Sequence, residues 1–399
     1  MLTPAIRRVL ICAGLVVSLS MGIRHGFGFF LAPMSADFGW SREVFAFALG
    51  LQNLVWGIAQ PFTGALADRY GALRVLAVGA VLYAAGLALM TLSSTGPMFA
   101  GSAGVLLGLA LSGTTYSIVF GVIGREVPES HRSQAMGLAS AAGSFGQFLM
   151  VPVEQQLIAG VGWVHALLIL SVMSLLIIPA SRGLRESTPR QAHHAGQSVW
   201  AAAKEAFRYP SFQMLMAGYF VCGFQLIFIG VHLPAYLADK GLRGDTAAVA
   251  LALIGLFNVF GTYVAGQLGA RVPKKYLLSA IYFIRALAVA AFVTLPLSAM
   301  SVWIFAAVMG FLWLSTVPLT NGVIATIFGV RHLGMLSGFV FFAHQVGSFL
   351  GVWLGGWLYD HTGSYDIVWY LSIGLGFAAA AINWPVREAP LIRPEALAV

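Results

Sequence analysis

Gly64-Ala-Leu-Ala-Asp68-Arg69-Tyr70-Gly71-Ala-Leu-Arg74 is the stretch whose reading decides the fold. Three charges and two glycines crowd into a short segment with a continuous apolar run on each side, 45–66 before it and 73–93 after it. Each run is near the roughly 20 residues that a helix needs to cross a bilayer. The segment therefore reads as a tight, charged turn between two membrane-spanning helices. Carried outward, the same pattern gives twelve spans: 9–33, 45–66, 73–93, 98–123, 133–159, 163–182, 212–237, 246–268, 276–296, 300–325, 334–358 and 366–386. Short segments with turn residues and charges separate them. The runs do not alternate apolar and polar positions, which argues against a transmembrane β-barrel.

Composition agrees. Of 399 residues, 59% are hydrophobic and 9% charged, against about 25% charged in soluble domains. The two cysteines, Cys12 and Cys222, lie in apolar runs, so a disulfide scaffold is excluded. Twenty-eight Phe and ten Trp exclude disorder. An all-α polytopic membrane protein remains. Arg7 and Arg8 lead into the first run as in a signal peptide, but the run is too long for an h-region and no small-residue cleavage pattern precedes Pro33.

Basic residues orient the chain. With the N-terminus in the cytoplasm, 17 Lys and Arg fall on that side, Arg42, Lys240 and Arg243 fall opposite, and Arg24 and Arg285 lie within spans. Both termini are then cytoplasmic, and the net charge of +8 needs no nucleic acid partner. The longest polar segment, 183–211, reads as a cytoplasmic linker between six-span halves 1–182 and 212–399, its second part as a short surface helix. Its His193 and His194 read as solvated, and no metal site or cofactor is expected.

The halves share features at an offset of about 201 residues. Pro33 and Gly39 match Pro234 and Gly241; Gly64 and Leu66 match Gly266 and Leu268; Gly137 and Gly146 match Gly338 and Gly347. The common offset supports a duplicated unit, hence two pseudo-symmetric six-helix bundles. Such bundles can rock against each other and expose a midplane site to each side in turn. No segment between spans exceeds about 30 residues, so no further soluble domain is expected.

The turn at 64–74 resembles the loop 2–3 signature of the major facilitator superfamily, Gly-x-Leu-x-Asp-Arg-x-Gly-x-x-Arg. The resemblance implies a conformational latch made by Gly64, Asp68, Arg69, Gly71 and Arg74. Its chemistry is legible: glycines permit the turn, and Asp68 can pair with a guanidinium and meet the N-terminus of a facing helix. The second-half copy, Gly266-Gln-Leu-Gly-Ala-Arg271-Val-Pro-Lys274-Lys275, lacks the acid. Gly26-Phe-Gly28-Phe-Phe-Leu-Ala-Pro33, followed by Phe38-Gly39-Trp40-Ser41-Arg42, resembles the bacterial monocarboxylate and oxalate/formate transporter-like branch. That branch implies a small organic acid as substrate, often carried with a proton. Where the branch commonly places an acid and an arginine in span 8, this chain has Asn258 and Thr262. The span 5 glycine-proline pattern of the superfamily's drug antiporters is missing.

Ionisable groups at bilayer depth are costly and functional by default. Arg24 in span 1 reads as the counter-charge of a carboxylate, its fork suited to both oxygens, or as a brace for backbone carbonyls. Gln225 is its pseudo-symmetric position in span 7. Arg285 in span 9, one turn after Tyr282, is a second substrate candidate or a helix brace. Tyr116, Asn258 and Asn321 are neutral substrate contacts or helix ties, as are Asn53 and Gln345. Trp313 shapes the cavity or packs. Glu154, His232 and His344 are candidate proton carriers, each with a structural alternative; His25 is a packing or supporting residue. No GxxxxGK[ST], HExxH, CxxC or GxSxG motif occurs, so neither an ATP-driven pump core nor an enzyme is expected. The resulting expectation is a monomeric secondary transporter of the bacterial inner membrane for a small organic anion, with proton coupling. The rival readings are an exporter of hydrophobic compounds and a non-transporting ligand sensor.

Overall fold

The structure, a computed structural model, describes residues 3–40, 42–185 and 198–391. His193, His194 and Ser41 lie outside the described residues. Among those described the chain is helical throughout.

Helix α1, Pro4–His25, starts where Thr3 Oγ1 accepts from the Ile6 N–H at 3.3 Å, with Pro4 at the first position. It stops at Gly26, where a tight 3-10 turn, Gly26–Phe30, leads into a short helix, Leu31–Phe38. The single span expected over 9–33 is therefore jointed. Helix α2, Arg42–Tyr70, ends at Gly71, whose φ of 101° is open to glycine without strain. It is followed by α3, Ala72–Met90, and α4, Gly96–Glu126, which breaks at the extended residue Thr115. One long helix, Glu129–Ser174, turns at Gly162 with φ 78° and so supplies two spans, α5 (129–161) and α6 (163–184).

A surface helix, Val199–Arg208, buries Ala202, Ala203 and Ala206 along one face. Then come α7, Pro210–Asp239; α8, Gly244–Gly269; α9, Lys274–Thr294; and α10, Ala299–Phe328, interrupted at Trp313–Ser315. The last two are α11, Leu333–Thr362, closed by Gly363 in the left-handed conformation, and α12, Asp366–Asn383. Eleven described stretches are long and apolar enough to cross a membrane. The twelfth span is α2, 29 residues long, with Gln52 and Gln60 buried on its inner side.

The helices form two bundles with the same internal pairing. In the first, α1 packs along α5, α2 against α4, and α3 against α6. In the second, α7 packs along α11, α8 against α10, and α9 against α12. The bundles meet along two seams, α2 with α11 and α5 with α8.

Both seams are tight at the face that carries Arg69, Arg74, Arg125 and Lys274, here called the basic face. Side chains added at Gly64 or Gly338 would strike backbone across the α2/α11 seam, at Gly334 and Pro61 respectively. Gly137 and Gly266 face each other in the α5/α8 seam with the same consequence. Ser133 Oγ donates to the Gly266 carbonyl at 3.1 Å, and Asn258 Nδ2 to Ser144 Oγ at 2.9 Å. Further along, the seams open. Gly50 shares a face with Gly57 and Gly64, because seven residues bring a helix nearly back to the same side. Gly57 packs on Gln345 and Phe342, yet Gly50 meets nothing within 4 Å. Gly255, three turns before Gly266, also meets nothing. The bundles are closed at the basic face and splayed toward the opposite, far face.

Candidate functional site

Above the closed seams lies a cavity of about 790 Å³, part of it continuous with open space. Helices α1, α2, α4 and α5 of one bundle and α7, α10 and α11 of the other line it. Among the lining residues Arg24 is the only formally charged side chain, and no Asp or Glu is present.

Arg24 lies two residues from Gly22 and Gly26, both of which face α5, so it points to the other side of α1. Nη2 donates to Asn53 Oδ1 at 2.5 Å, and the guanidinium carbon stands 4.9 Å from the Trp56 ring centroid, within cation–π range. Nε is buried and has no hydrogen-bond partner. Asn53 is itself held by a 3.1 Å bond from Nδ2 to the Leu49 carbonyl. Across the seam, Gln345 Nε2 donates to the Asn53 backbone carbonyl at 3.3 Å. The cation is thus positioned by a neutral amide and an aromatic ring and has no carboxylate to neutralise it.

Four more polar atoms in the cavity wall are buried without a partner: Tyr116 Oη, Gln147 Nε2, Asn321 Oδ1 and Ser337 Oγ. Buried polar groups ordinarily find partners, so this grouping gives the wall hydrogen-bonding capacity that the protein itself does not use. His25 and His344 also line the cavity. His25 Nδ1 bonds the Met21 carbonyl at 2.8 Å. His344 Nδ1 lies 3.2 Å from Gln345 Oε1, and its ring stacks on Phe341 at 5.5 Å.

Other candidates lie elsewhere. Arg285 is fully buried and is not among the lining residues. It donates to the carbonyls of Leu312 and, at 2.5 Å, of Trp313, and to Cys222 Sγ at 3.3 Å. These carbonyls lose their helical partners where α10 breaks, so the geometry is that of a brace. Gln225 Nε2 donates to the Ser372 carbonyl at 2.9 Å behind the cavity. Asn258 ties three elements: besides Ser144, its Oδ1 accepts from the Leu314 N–H at 3.0 Å, inside the α10 break. His232 Nε2 bonds the Val352 carbonyl at 3.0 Å, away from the lining.

Glu154 is fully buried in α5, and its carboxyl lies directly on Gly26, where any side chain would collide with it. Neither oxygen has a hydrogen-bond partner. Glu154 therefore abuts the joint at the end of α1, two residues from Arg24, while remaining outside the cavity.

At the basic face Asp68 accepts from Arg125 Nη1 at 2.8 Å, from the Met335 N–H at 3.0 Å and from the Gly334 N–H at 3.4 Å. The first partner belongs to the same bundle. The other two are the opening amides of α11 in the second bundle. Gly64 and Gly71 supply the close approach and the turn, and Arg69 stacks on Tyr70 at 5.1 Å. Arg74 is solvent-facing.

Gln147 and Ser337 line the cavity but were not singled out from sequence. The signal for Gln147 is the one that marked Asn53, a polar residue in an apolar run. Serine in a helix carries little signal, because it can satisfy itself on the preceding turn.

A model described as Major Facilitator Superfamily matches residues 10–351 of the chain. An uncharacterised MFS-type transporter of Bacillus subtilis, YcxA, is 27% identical over 361 residues, covering 86% of each chain. Monocarboxylate transporter 13 of Rattus norvegicus is 26% identical, covering 87% of this chain and 81% of its own. Among solved structures, the transporter FucP in the outward conformation superposes with a TM-score of 0.74 at 16% identity, covering 94% of this chain and 98% of its own. The proton:xylose symporter XylE gives the same TM-score at 17% identity, covering 98% of each.

Proposed function

The chain belongs to the Major Facilitator Superfamily, and from that premise we propose that it carries a small monocarboxylate across the membrane by alternating access, with Arg24 as the anion's counter-charge. The observation that carries this reading is electrostatic. A water-accessible cavity between the bundles holds one fixed cation, no acid to cancel it, and an Nε without a partner. Arginine keeps its charge when desolvated and presents a fork that fits a carboxylate. Relatives bearing the name monocarboxylate transporter support the same substrate class. A hydrophobic cation would meet Arg24 as a like charge, which disfavours the cationic-drug exporter.

The proton, in this reading, is carried by Glu154. A carboxylate without a donor is expensive at bilayer depth, whereas the neutral acid is not. Its place against Gly26 links its charge to the joint of α1 beside Arg24. His344, in the cavity wall, is the second carrier to test; His232, tied to a backbone carbonyl, is the third. The basic face is the cytoplasmic one by the distribution of Lys and Arg. The protein then sits as a monomer in a bacterial inner membrane, termini inside, and the present conformation faces outward.

The test is uptake of labelled carboxylates into proteoliposomes with and without an inward proton gradient. A charged hydrogen bond contributes about 1.5–3 kcal/mol, so Arg24→Gln should raise the half-saturating concentration about 10- to 100-fold, and Arg24→Lys should recover part of it. Unchanged carboxylate uptake in a folded Arg24→Gln protein would falsify the assignment.

A further inference from the structure

We infer that the acid has a broad, preferably aromatic body and a hydroxyl group remote from its carboxylate; this rests on the carboxylate reading above. Three observations define the ligand. The single cation and the absence of acidic lining fit one negative charge and leave a second carboxylate unpaired. Besides Arg24 the cavity is lined by Trp56, Phe341 and Trp313 with Leu226, Ile227 and Ile324. A two- or three-carbon acid leaves that apolar wall in water, whereas a flat ring removes it from water. Arg24 stands at the last turn of α1, whereas Asn321 and Ser337 lie two turns and one turn from the basic-face ends of α10 and α11, so their polar atoms specify the remote end. Asn321 stands on α10 of the second bundle and is more than nine-tenths buried. Its Nδ2 donates to the Val317 carbonyl at 2.9 Å, which fixes Oδ1 as an acceptor without a donor. A carboxylate has no proton to give it; a hydroxyl has. Tyr116 Oη and Ser337 Oγ, each more than nine-tenths buried and also unpartnered in the cavity wall, can each give and take a hydrogen bond.

The experiment is competition in proteoliposomes, with 4-hydroxyphenylacetate as labelled probe and phenylacetate, acetate, lactate and succinate as competitors. The expected order has the hydroxylated ring acid at least tenfold ahead of phenylacetate, phenylacetate ahead of acetate and lactate, and succinate last. In Asn321→Leu the gap between the two ring acids should close to within about twofold. Arg24-dependent uptake that favours acetate or lactate over both ring acids overturns this inference and leaves the carboxylate reading standing. So does equal handling of the two ring acids. Flux of no acid at all defeats both.

A second inference comes from the open ends of the seams. The geometry points to two phenylalanine clasps that close the far face when the bundles rock. In the α2/α11 seam, Gly64 lies against Met335 and Gly57 against Phe342. The next seven-residue step in this antiparallel register sets Gly50 against Phe349. In the α5/α8 seam Ser144 meets Asn258, and one turn further Phe148 comes opposite Gly255. Phe148 and Phe349 are 201 residues apart, the offset of the repeat. Each lies three turns past a packed seam glycine, Gly137 or Gly338, on nearly the same face. Both rings are exposed, and both glycines are open. Closing the far face seats each ring on the opposite glycine.

Gly50→Phe fills one seat, in a position where the present conformation has room for it. Binding of the acid from outside should persist while transport falls at least tenfold. Exchanging the pair, Gly50→Phe with Phe349→Gly, should restore transport to within threefold of the parent. Full transport in Gly50→Phe alone, or no recovery in the exchanged pair, overturns the clasp.

Discussion

Replacing Asp68 with Asn should open the basic face, and the size of the effect follows from which bonds cross the seam. Only interactions that differ between the two states shift their populations. The ion pair with Arg125 lies within one bundle and persists when the bundles part. The bonds that break are those to the Met335 and Gly334 amides of α11. At 3.0 Å the first is a full charge-assisted bond; at 3.4 Å the second is weak. Asn keeps a neutral acceptor for one amide, so the charge-assisted share lost is about 1–2 kcal/mol. The favourable field of a carboxylate at a helix N-terminus adds about 0.3–1 kcal/mol. A total near 2 kcal/mol moves the closed-to-open ratio about 30-fold. Hydrogen exchange reads this directly. Gly334 and Met335 are among the opening amides of α11, which have no helical carbonyl of their own, so Asp68 is their protection. Exchange at these two positions should accelerate about 30-fold in Asp68→Asn, while amides in the middle of α11 keep their rates. Unchanged exchange at Gly334 and Met335, or equal acceleration throughout α11, would refute the reasoning.

Glu154→Gln removes the proposed proton carrier: accumulation driven by a proton gradient should fall to the level seen without one, while exchange of labelled acid between the two sides continues. Loss of both activities, or of neither, counts against Glu154. Arg285→Met strands the Leu312 and Trp313 carbonyls in the α10 break, a loss of about 2–6 kcal/mol at about 1–3 kcal/mol for each stranded group. It should appear as a lower melting temperature in detergent with an unaltered half-saturating concentration; the opposite pattern would place Arg285 at the substrate. Gly64→Val drives a side chain into the backbone of Gly334, so it should release the same α11 amides as Asp68→Asn even though every polar partner remains.

Much of this architecture is written in residue order, because a bilayer imposes lengths on helices and sides on arginines. The spans, the repeat and the turn at 64–74 all follow from those constraints. The joints do not. Gly26 and Thr115 interrupt helices inside apolar runs, where composition continues unchanged across the break. Arg285 illustrates the second limit: a buried arginine is visible in sequence, but whether it meets a ligand or the carbonyls at 312 and 313 depends on where α10 breaks. Asn258 shows the third. Its span was legible, but its partners Ser144 and Leu314 come from other helices and are set by packing. Arg24 was readable as a cavity cation because its span and depth were; its stacking partner Trp56 became part of the site only through tertiary contact.

The lone positive charge of the central cavity also decides where voltage acts on the proposed cycle. With a monocarboxylate on Arg24 and a proton on Glu154, the loaded carrier is neutral at these groups. Emptied of both, Arg24 carries +1 and Glu154 −1, so the empty carrier is neutral as well and neither half of the cycle moves net charge. Glu154→Gln removes that balance: its empty site carries +1, and a full elementary charge moved through the membrane field exchanges about 2.3 kcal/mol per 100 mV. An interior-negative potential then favours the empty site facing inward and slows its return to the outside. Membrane potential should leave the parent carrier nearly untouched and act on the unloaded half of the cycle in the Glu154→Gln protein.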